Sequence, residues 1–368
     1  MVRRGAGAGL ILAALLAAGP SAAETLRIAT YNVDLNRKGP GLLLRDILSG
    51  KDKQVMAVTD VIAGAAPDVI LLTGFDYDLD GLALAALADR LSALDAEYPY
   101  RFALRPNTGR ATGLDLDGDG KTGGPGDAQG YGRFAGADGM AILSRLPIVE
   151  EDVADYSDTL WRDLPGALIG GAGLTEEVME IQRLSTTGHW AVPIVMPDGA
   201  RLTLLCWYAT PPVFDGPEDR NGRRNHDEAA FWTRLLDGAL SAPTPEPPMV
   251  LLGDANLDPV DGDGRPEALL SLLSDLRFHD PLPNSVGGTQ ATRQGGANKA
   301  HRGDPSLDTA DWPDDPGPGN LRVDYVLPSA DLRIVGSGIW WPKPDSISAP
   351  TVEAASRHRL VWVDIEAQ

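Results

Sequence analysis

Short apolar runs rich in β-branched residues recur along this chain from end to end, and several of them stop on an acid, an amide or a histidine. The runs cover residues 26–33, 69–72, 140–143, 191–195, 202–207, 249–252, 323–327, 334–341 and 360–365. By length and composition they read as strands. Helical patterns are clearest over 81–94 and 227–240, where Ala and Leu recur at three- and four-residue spacing. At ~150 residues per domain a chain of 368 residues could hold two domains. Strands drawn from every part of the chain, with no break in composition, favour one α/β sandwich over residues 24–368 instead. A hydrophobic share of 43% over this length can bury a large core and excludes a disordered or fibrous chain. Three stretches dense in Gly, Pro and Asp, 107–136, 258–266 and 287–319, read as long loops of the kind that carry function.

The N-terminus is a separate matter. Arg3 and Arg4 precede an apolar run over 10–18, followed by Gly19-Pro20 and the small residues Ser21, Ala22 and Ala23. That pattern is a secretory signal peptide over 1–23, with cleavage expected before Glu24. Its apolar stretch falls short of the ~20 residues a spanning helix needs. Cys206 is the only cysteine, so an oxidising compartment is tolerated without an intramolecular disulfide. The expected product is periplasmic or secreted, a monomer, with no membrane contact after cleavage. Lys and Arg number 32 against 52 Asp and Glu, a formal charge of −20 that argues against a broad basic footprint for nucleic acid.

The chemistry-bearing residues stand where strands end. Tyr31-Asn32-Val33-Asp34 closes the first run with an amide and an acid that share a strand face. Gly253-Asp254-Ala255-Asn256 closes another with an acid and an amide at the same spacing, Arg322-Val323-Asp324-Tyr325 opens a third, and Ser356-Arg357-His358 leads into the last. With the run from Gly139 to Pro147 these pieces resemble, in order and spacing, the endonuclease/exonuclease/phosphatase superfamily. These are the divalent-metal phosphodiesterases and phosphomonoesterases that include DNase I and exonuclease III. The resemblance covers nearly all of the chain after residue 23. It implies a DNase I-like four-layer α/β/β/α sandwich, two mixed β-sheets face to face with helices outside and a site at one rim.

It also implies roles for residues. Asp254 would orient or deprotonate an attacking water, Asn256 would hold that water and the scissile phosphate, and His358 would contact the phosphate with Asp324 as its partner. Asn32 would join the same set, and Tyr208 would donate to a phosphate oxygen or the leaving group. A carboxylate on one imidazole nitrogen favours the charged ring, which suits a developing oxyanion. The expected activity is hydrolysis of a phosphate ester, in a small molecule or a nucleic acid, assisted by Mg2+ or Mn2+.

Two positions depart from the family pattern. Where members end the second strand with a metal-binding glutamate this chain has Gly74, and where they read Ser-Asp-His it has Arg357. Asp34 and Asp76 are then the expected metal ligands, Asp76 taking over from the missing glutamate. Hard divalent ions depend on such oxygens, so the metal would be weakly held or lost, and Arg357 could itself grip phosphate. A catalytically degenerate relative that only binds phosphoesters therefore stands as an alternative. Asp115, Asp117 and Asp119 alternate ahead of Gly120 like the opening half of a calcium loop. If the rim were inert, such loops would make a calcium-dependent interaction module. The run from Asp219 to Glu228 reads either as a cationic patch presenting Arg220 and Arg223 to an anionic substrate, or as a salt-bridged helix start capped by Asn225. His189 reads either as a substrate contact or as a strand-end structural histidine.

Overall fold

The first apolar run becomes β1 (Thr25–Leu35) in a computed structural model that describes residues 1–2 and 25–366. The leader expected over 1–23, residues 1 and 2 apart, lies outside the described residues. β1 pairs in parallel with β2 (Val69–Phe75) and antiparallel with β13 (Val361–Glu366). They join β12 (Ile334–Ile339), β4 (Gly139–Ser144) and β3 (Tyr100–Phe102) in a six-stranded sheet, ordered β12-β13-β1-β2-β4-β3. A second sheet runs β11 (Asp324–Pro328), β8 (Met249–Asp254), β7 (Arg201–Tyr208), β6 (Gly188–Val195) and β5 (Ala154–Asp155). Its β7–β8 pair is parallel and its other pairs antiparallel, so both sheets are mixed.

Alternation along the strands sorts the side chains into layers. Ile28 and Leu71 of the first sheet meet Val192, Leu204, Leu252 and Val326 of the second in one apolar cluster between the sheets. On the opposite face of the first sheet, Ala29, Tyr31 and Leu72 pack against α1 (Leu42–Ser49), α2 (Lys53–Ala65), α3 (Leu82–Ser92) and α8 (Ala349–Ala355). Leu205, Leu251 and Tyr325 of the second sheet pack outward against α5 (Arg220–Leu236) and α6 (Glu267–Leu273). The result is the four-layer α/β/β/α sandwich expected from the sequence. Shorter helices, α4 (Glu176–Ile181) and α7 (Val286–Ala291), lie in connections. Among the described residues no helix is long and apolar enough to cross a membrane.

Two local readings need correction, and α2 is a helix that the sequence patterns did not pick out. α2 is rich in Val, Thr and Ile, so its pattern understates a helix that packing against β1 and capping by Asp52 on the Val55 amide stabilise. α5 begins at Arg220, not at the start of its apolar pattern, and Asn225 lies inside it. Its Nδ2 donates to the carbonyls of Thr210 and Ala255, at 2.8 and 2.7 Å, while Asp219 holds the N-cap position. The stretch 287–319 is not all loop. It carries most of α7 and β9 (Ala310–Asp311), which pairs with β10 (Asn320–Leu321), and a bridge from Ala310 reaches His358.

Candidate active site

Strand register builds the site. Tyr208 opposes Asp254 across the parallel β7–β8 pair, and Asp324 opposes Asp254 across the antiparallel β8–β11 pair. Residues directly opposite share a face, so these three side chains form a row at the rim of the second sheet. Asn32, from the first sheet, closes the gap between the layers. Its Nδ2 donates to Asp254 Oδ2 at 2.9 Å and to the Tyr208 hydroxyl at 3.3 Å. His358 enters just ahead of β13, with Nδ1 2.9 Å from Asp324 Oδ2 and 3.8 Å from Asp254 Oδ2.

Neighbours fix these groups. Ser356 Oγ donates to the Asn32 carbonyl at 2.7 Å and accepts from the His358 amide at 3.0 Å, which ties the imidazole to the end of β1. The buried hydroxyl of Thr309 accepts from the amides of Val323 and Asp324 at 2.9 and 3.0 Å. Trp312 meets the His358 ring edge-on, centroids 5.2 Å apart. Asn256 sits in a left-handed conformation, with its amide on Asp254 Oδ1 at 2.7 Å and its Nδ2 on the Ala209 carbonyl at 2.8 Å. Its Oδ1 has no partner among the described residues, so it offers an acceptor suited to a water and not to a phosphate oxygen.

Burial and neighbouring charge set the protonation states. Burial alone would discharge His358, but Asp324 and Asp254 outweigh it and lift the imidazolium to about 9. Asp254, fully enclosed and beside Asp324, is pushed up to about 7 despite His358. Burial and the surrounding carboxylates raise the Tyr208 phenol, which stays a hydrogen-bond donor. Asp324 Oδ1 is buried without a partner among the described residues, an orphaned acceptor beside the imidazolium.

Asn32, Tyr208, Asn256 and His358 line a cleft of about 580 Å³ together with Asp34, Asp138 and Arg357. Asp34, also in the left-handed region, accepts from Arg357 Nη2 on Oδ1 and from Arg357 Nε and amide on Oδ2, each at 3.2 Å. Burial would raise its pKa, yet His358 and Arg357 hold it below the ordinary carboxylate range. Asp138 is a cleft residue the sequence reading missed. It precedes β4 at positive φ, accepts from Asn36 Nδ2 at 3.0 Å and lies 3.4 Å from the Tyr208 hydroxyl. The signal was an acid immediately ahead of a motif strand.

A family model described as Endonuclease/Exonuclease/phosphatase family matches residues 29–358, from within β1 to the site histidine. The chain belongs to this family. Its members are generally phosphoester hydrolases. The fold is similar to that of an endonuclease/exonuclease/phosphatase from Beutenbergia cavernae, at 18% identity and TM-score 0.52, covering 93% of this chain and 71% of that one. A family protein from Leptotrichia buccalis is similar at 16% identity and TM-score 0.50, covering 93% of this chain and 100% of that one. No curated protein sequence matches.

The family usually uses a divalent metal, and among the described residues two groups could hold an ion: Asp254, Asp324 and His358, and Asp115, Asp117 and Asp127. The pair expected from the sequence does not fit one. Both oxygens of Asp34 are taken by Arg357, and those of Asp76 accept from the amides of Arg37 and Asp138 at 2.8 and 3.0 Å. Burial raises Asp76 to about 6, and it serves to anchor the turn that presents Asp138. Two-residue alternation fails here because Gly74 sits in a bulge at φ +69° that shifts the register. A Cβ at Gly74 would lie 2.3 Å from Asn32 Oδ1, so the glutamate position has no room for a side chain. At the first group, His358 Nδ1 already bonds Asp324 Oδ2 at 2.9 Å, so an ion there would have to displace that bond and the ring proton.

Other expected site residues lie elsewhere. His189 is fully buried, Nδ1 2.6 Å from Ser185 Oγ and Nε2 3.0 Å from the Glu228 carbonyl, among Trp207, Phe231 and Trp232. Burial drops its pKa to about 3, so it is a structural histidine and not a substrate contact. Arg220 donates to the Leu116 and Ala172 carbonyls and Arg223 to that of Glu218; Arg220 lines a neighbouring cavity that shares Asp138, Pro211 and Phe214 with the His358 cleft, and neither arginine lines the cleft itself. The Asn225 cap does not describe this run, since Asp219 holds the N-cap position. In the candidate calcium loop Asp119 turns to the Lys121 amide at 2.8 Å, and Asp127, buried and bonded to Leu116 and Gly124, joins Asp115 and Asp117 instead.

Proposed function

We propose that this chain hydrolyses a phosphate ester in the His358 cleft by in-line attack of water on phosphorus. The observation that carries the reading is the placement of His358 between Asp324 and Asp254 at the cleft end, beside Tyr208, Asn32 and Asn256. Asn256 Oδ1 accepts one hydrogen of the water. Asp254, titrating near neutrality, takes the proton as the new phosphorus–oxygen bond forms and the ester bond breaks, and the departing alkoxide takes a proton from solvent to leave as the alcohol. The His358 imidazolium and the Tyr208 hydroxyl meet the charge that builds on phosphoryl oxygens, and Asp324 keeps the ring charged and oriented. No step is routed through a metal, because the expected ligands are engaged.

The substrate class proposed is a small phosphoester. Carboxylates at Asp34, Asp138, Asp258 and Asp263 surround the cleft, and the chain carries −20 overall, both unfavourable for a long polyanion. We also propose export, on the pattern of the first 23 residues; mature protein beginning at Glu24 is the expected outcome of N-terminal sequencing. The assay that tests the function offers a bis-aryl phosphate, an aryl monoester and plasmid DNA with Mg2+, Mn2+, Ca2+ or EDTA. Turnover of a small ester that disappears in His358→Ala supports the proposal. Failure on all three substrates, with phosphate binding retained, assigns the chain to the binding relative.

A further inference from the structure

Asp34, Asp138, Asp258, Asp263, Arg357 and His358 are the charged side chains that line the cleft, so two cations face four carboxylates. A phosphate group entering it must find positive charge. His358 is largely neutralised from behind by Asp324 and Asp254, and is 4% exposed. Arg357 differs, with 58% of its side chain exposed at the cleft wall.

Its orientation is fixed in advance. Asp34 is held by the Gln54 Nε2 bond to its carbonyl at 2.9 Å and by the Arg357 amide on Oδ2 at 3.2 Å. That clamped carboxylate takes one edge of the guanidinium through Nε and Nη2. Nη1 has no partner among the described residues. A planar fork secured along one edge presents its remaining N–H groups in a set direction, which suits the paired oxygens of phosphate. Beside Asp34, Gly74 leaves no room for a carboxylate, and the Asp76 oxygens are spent on backbone amides. The positive charge bonded to Asp34 is therefore a guanidinium carried by the chain.

We infer that Arg357, set by Asp34, is the resident cation of this site: it binds two phosphoryl oxygens, so that phosphate recognition needs no divalent ion. Asp34 is then a positioning residue and not a metal ligand. The inference deepens the hydrolase reading, which supplies the cleft, but it concerns anion binding and is tested without turnover.

The experiment is calorimetric titration of the full chain with inorganic phosphate in EDTA and again in Mg2+ or Mn2+. Saturable binding of similar strength in both is expected. Arg357→Ala should weaken it about tenfold or more, and Arg357→Lys by less, since an ammonium keeps the charge and loses the fork. Free guanidinium ion should restore part of the binding to Arg357→Ala. Asp34→Asn, with Arg357 intact, should weaken phosphate binding and gain no metal dependence. Arg357 is exposed, so both of its variants should fold, and a thermal melt checks this. Binding that appears only with added metal, or that survives Arg357→Ala unchanged, overturns the inference. Ester hydrolysis that needs a metal for phosphate binding keeps the hydrolase reading and sinks this one; phosphate binding in EDTA without hydrolysis does the reverse.

Discussion

Asp254 and Asp324 face each other directly across the β8–β11 ladder, two carboxylates at strand ends with no solvent exposure. Such a pair is tolerable only if positive charge or a proton is shared into it. His358 supplies both, 2.9 Å from one and 3.8 Å from the other. The family's strand order therefore creates an electrostatic demand, and the residue that meets it is the one presented to the cleft.

Removing that residue should separate chemistry from folding. His358→Ala is expected to lower kcat by about 10²–10³, the usual loss of a preorganised oxyanion donor. Asp324→Asn should lower kcat while leaving KM for a small ester within about threefold, because the ring stays in place but loses the support for its charge. Steady-state kinetics on an aryl phosphate checks both. Equal loss of kcat and of melting temperature would assign His358 to structure.

The pH profile follows from the same pair. Asp254 must be deprotonated and His358 protonated, so kcat/KM should rise through about 7 and fall through about 9. The stability sign is separate. His358 is raised above its ordinary 6.5, so its stabilisation is complete below about 6.5 and is lost as pH rises through about 9. His358→Gln should flatten that alkaline decline in melting temperature. A wild-type rate that is level from pH 6 to 10 would contradict both assignments.

How much of this was legible in the sequence depends on whether a residue's role is set along the strand or across the fold. Asn32, Tyr208, Asp254, Asp324 and His358 end or enter strands, where apolar periodicity announces the element and an unexpected polar residue marks its rim. The two-sheet architecture was readable for the same reason. Asp76 was misread because alternation was carried across Gly74, whose left-handed bulge breaks it. Arg220, Arg223 and His189 look like binding residues until their tertiary partners are known, and those are loop carbonyls and a buried serine. Asp138 and Thr309 act on residues distant in sequence, a relation that no local pattern encodes.

Within α5 the neighbouring arginines should behave oppositely. Arg224 is buried and donates to the carbonyls of Gln129, Arg183, Leu184 and Ser185 at 2.7–3.1 Å. Arg224→Met removes the side-chain donor to the Leu184 carbonyl, while Gln182 still reaches those of Gln129 and Arg183 and Asn107 that of Ser185, and a loss of about 1–3 kcal/mol in chemical denaturation is expected. Arg223→Ala, half-buried and bonded to one carbonyl, should cost under about 1 kcal/mol and leave kcat/KM within about twofold. A large activity loss in Arg223→Ala would revive the cationic-patch reading.

Restoring the family glutamate should not restore a metal site. Gly74→Glu puts a side chain on a residue at φ +69°, a conformation costing about 1–3 kcal/mol for a non-glycine. Its Cβ would also meet Asn32 Oδ1 at 2.3 Å and the Asp34 amide at 3.1 Å. Asn32 bridges Asp254 and Tyr208, so any shift that relieves the clash pulls that bridge apart. The expected outcome is a lower melting temperature, reduced turnover and no gain in Mg2+ affinity by calorimetry. Arg357→Asp, in contrast, adds a carboxylate at an exposed position without backbone strain. If Gly74→Glu gained metal-dependent activity at undiminished stability, the bulge would not be the barrier that its geometry implies.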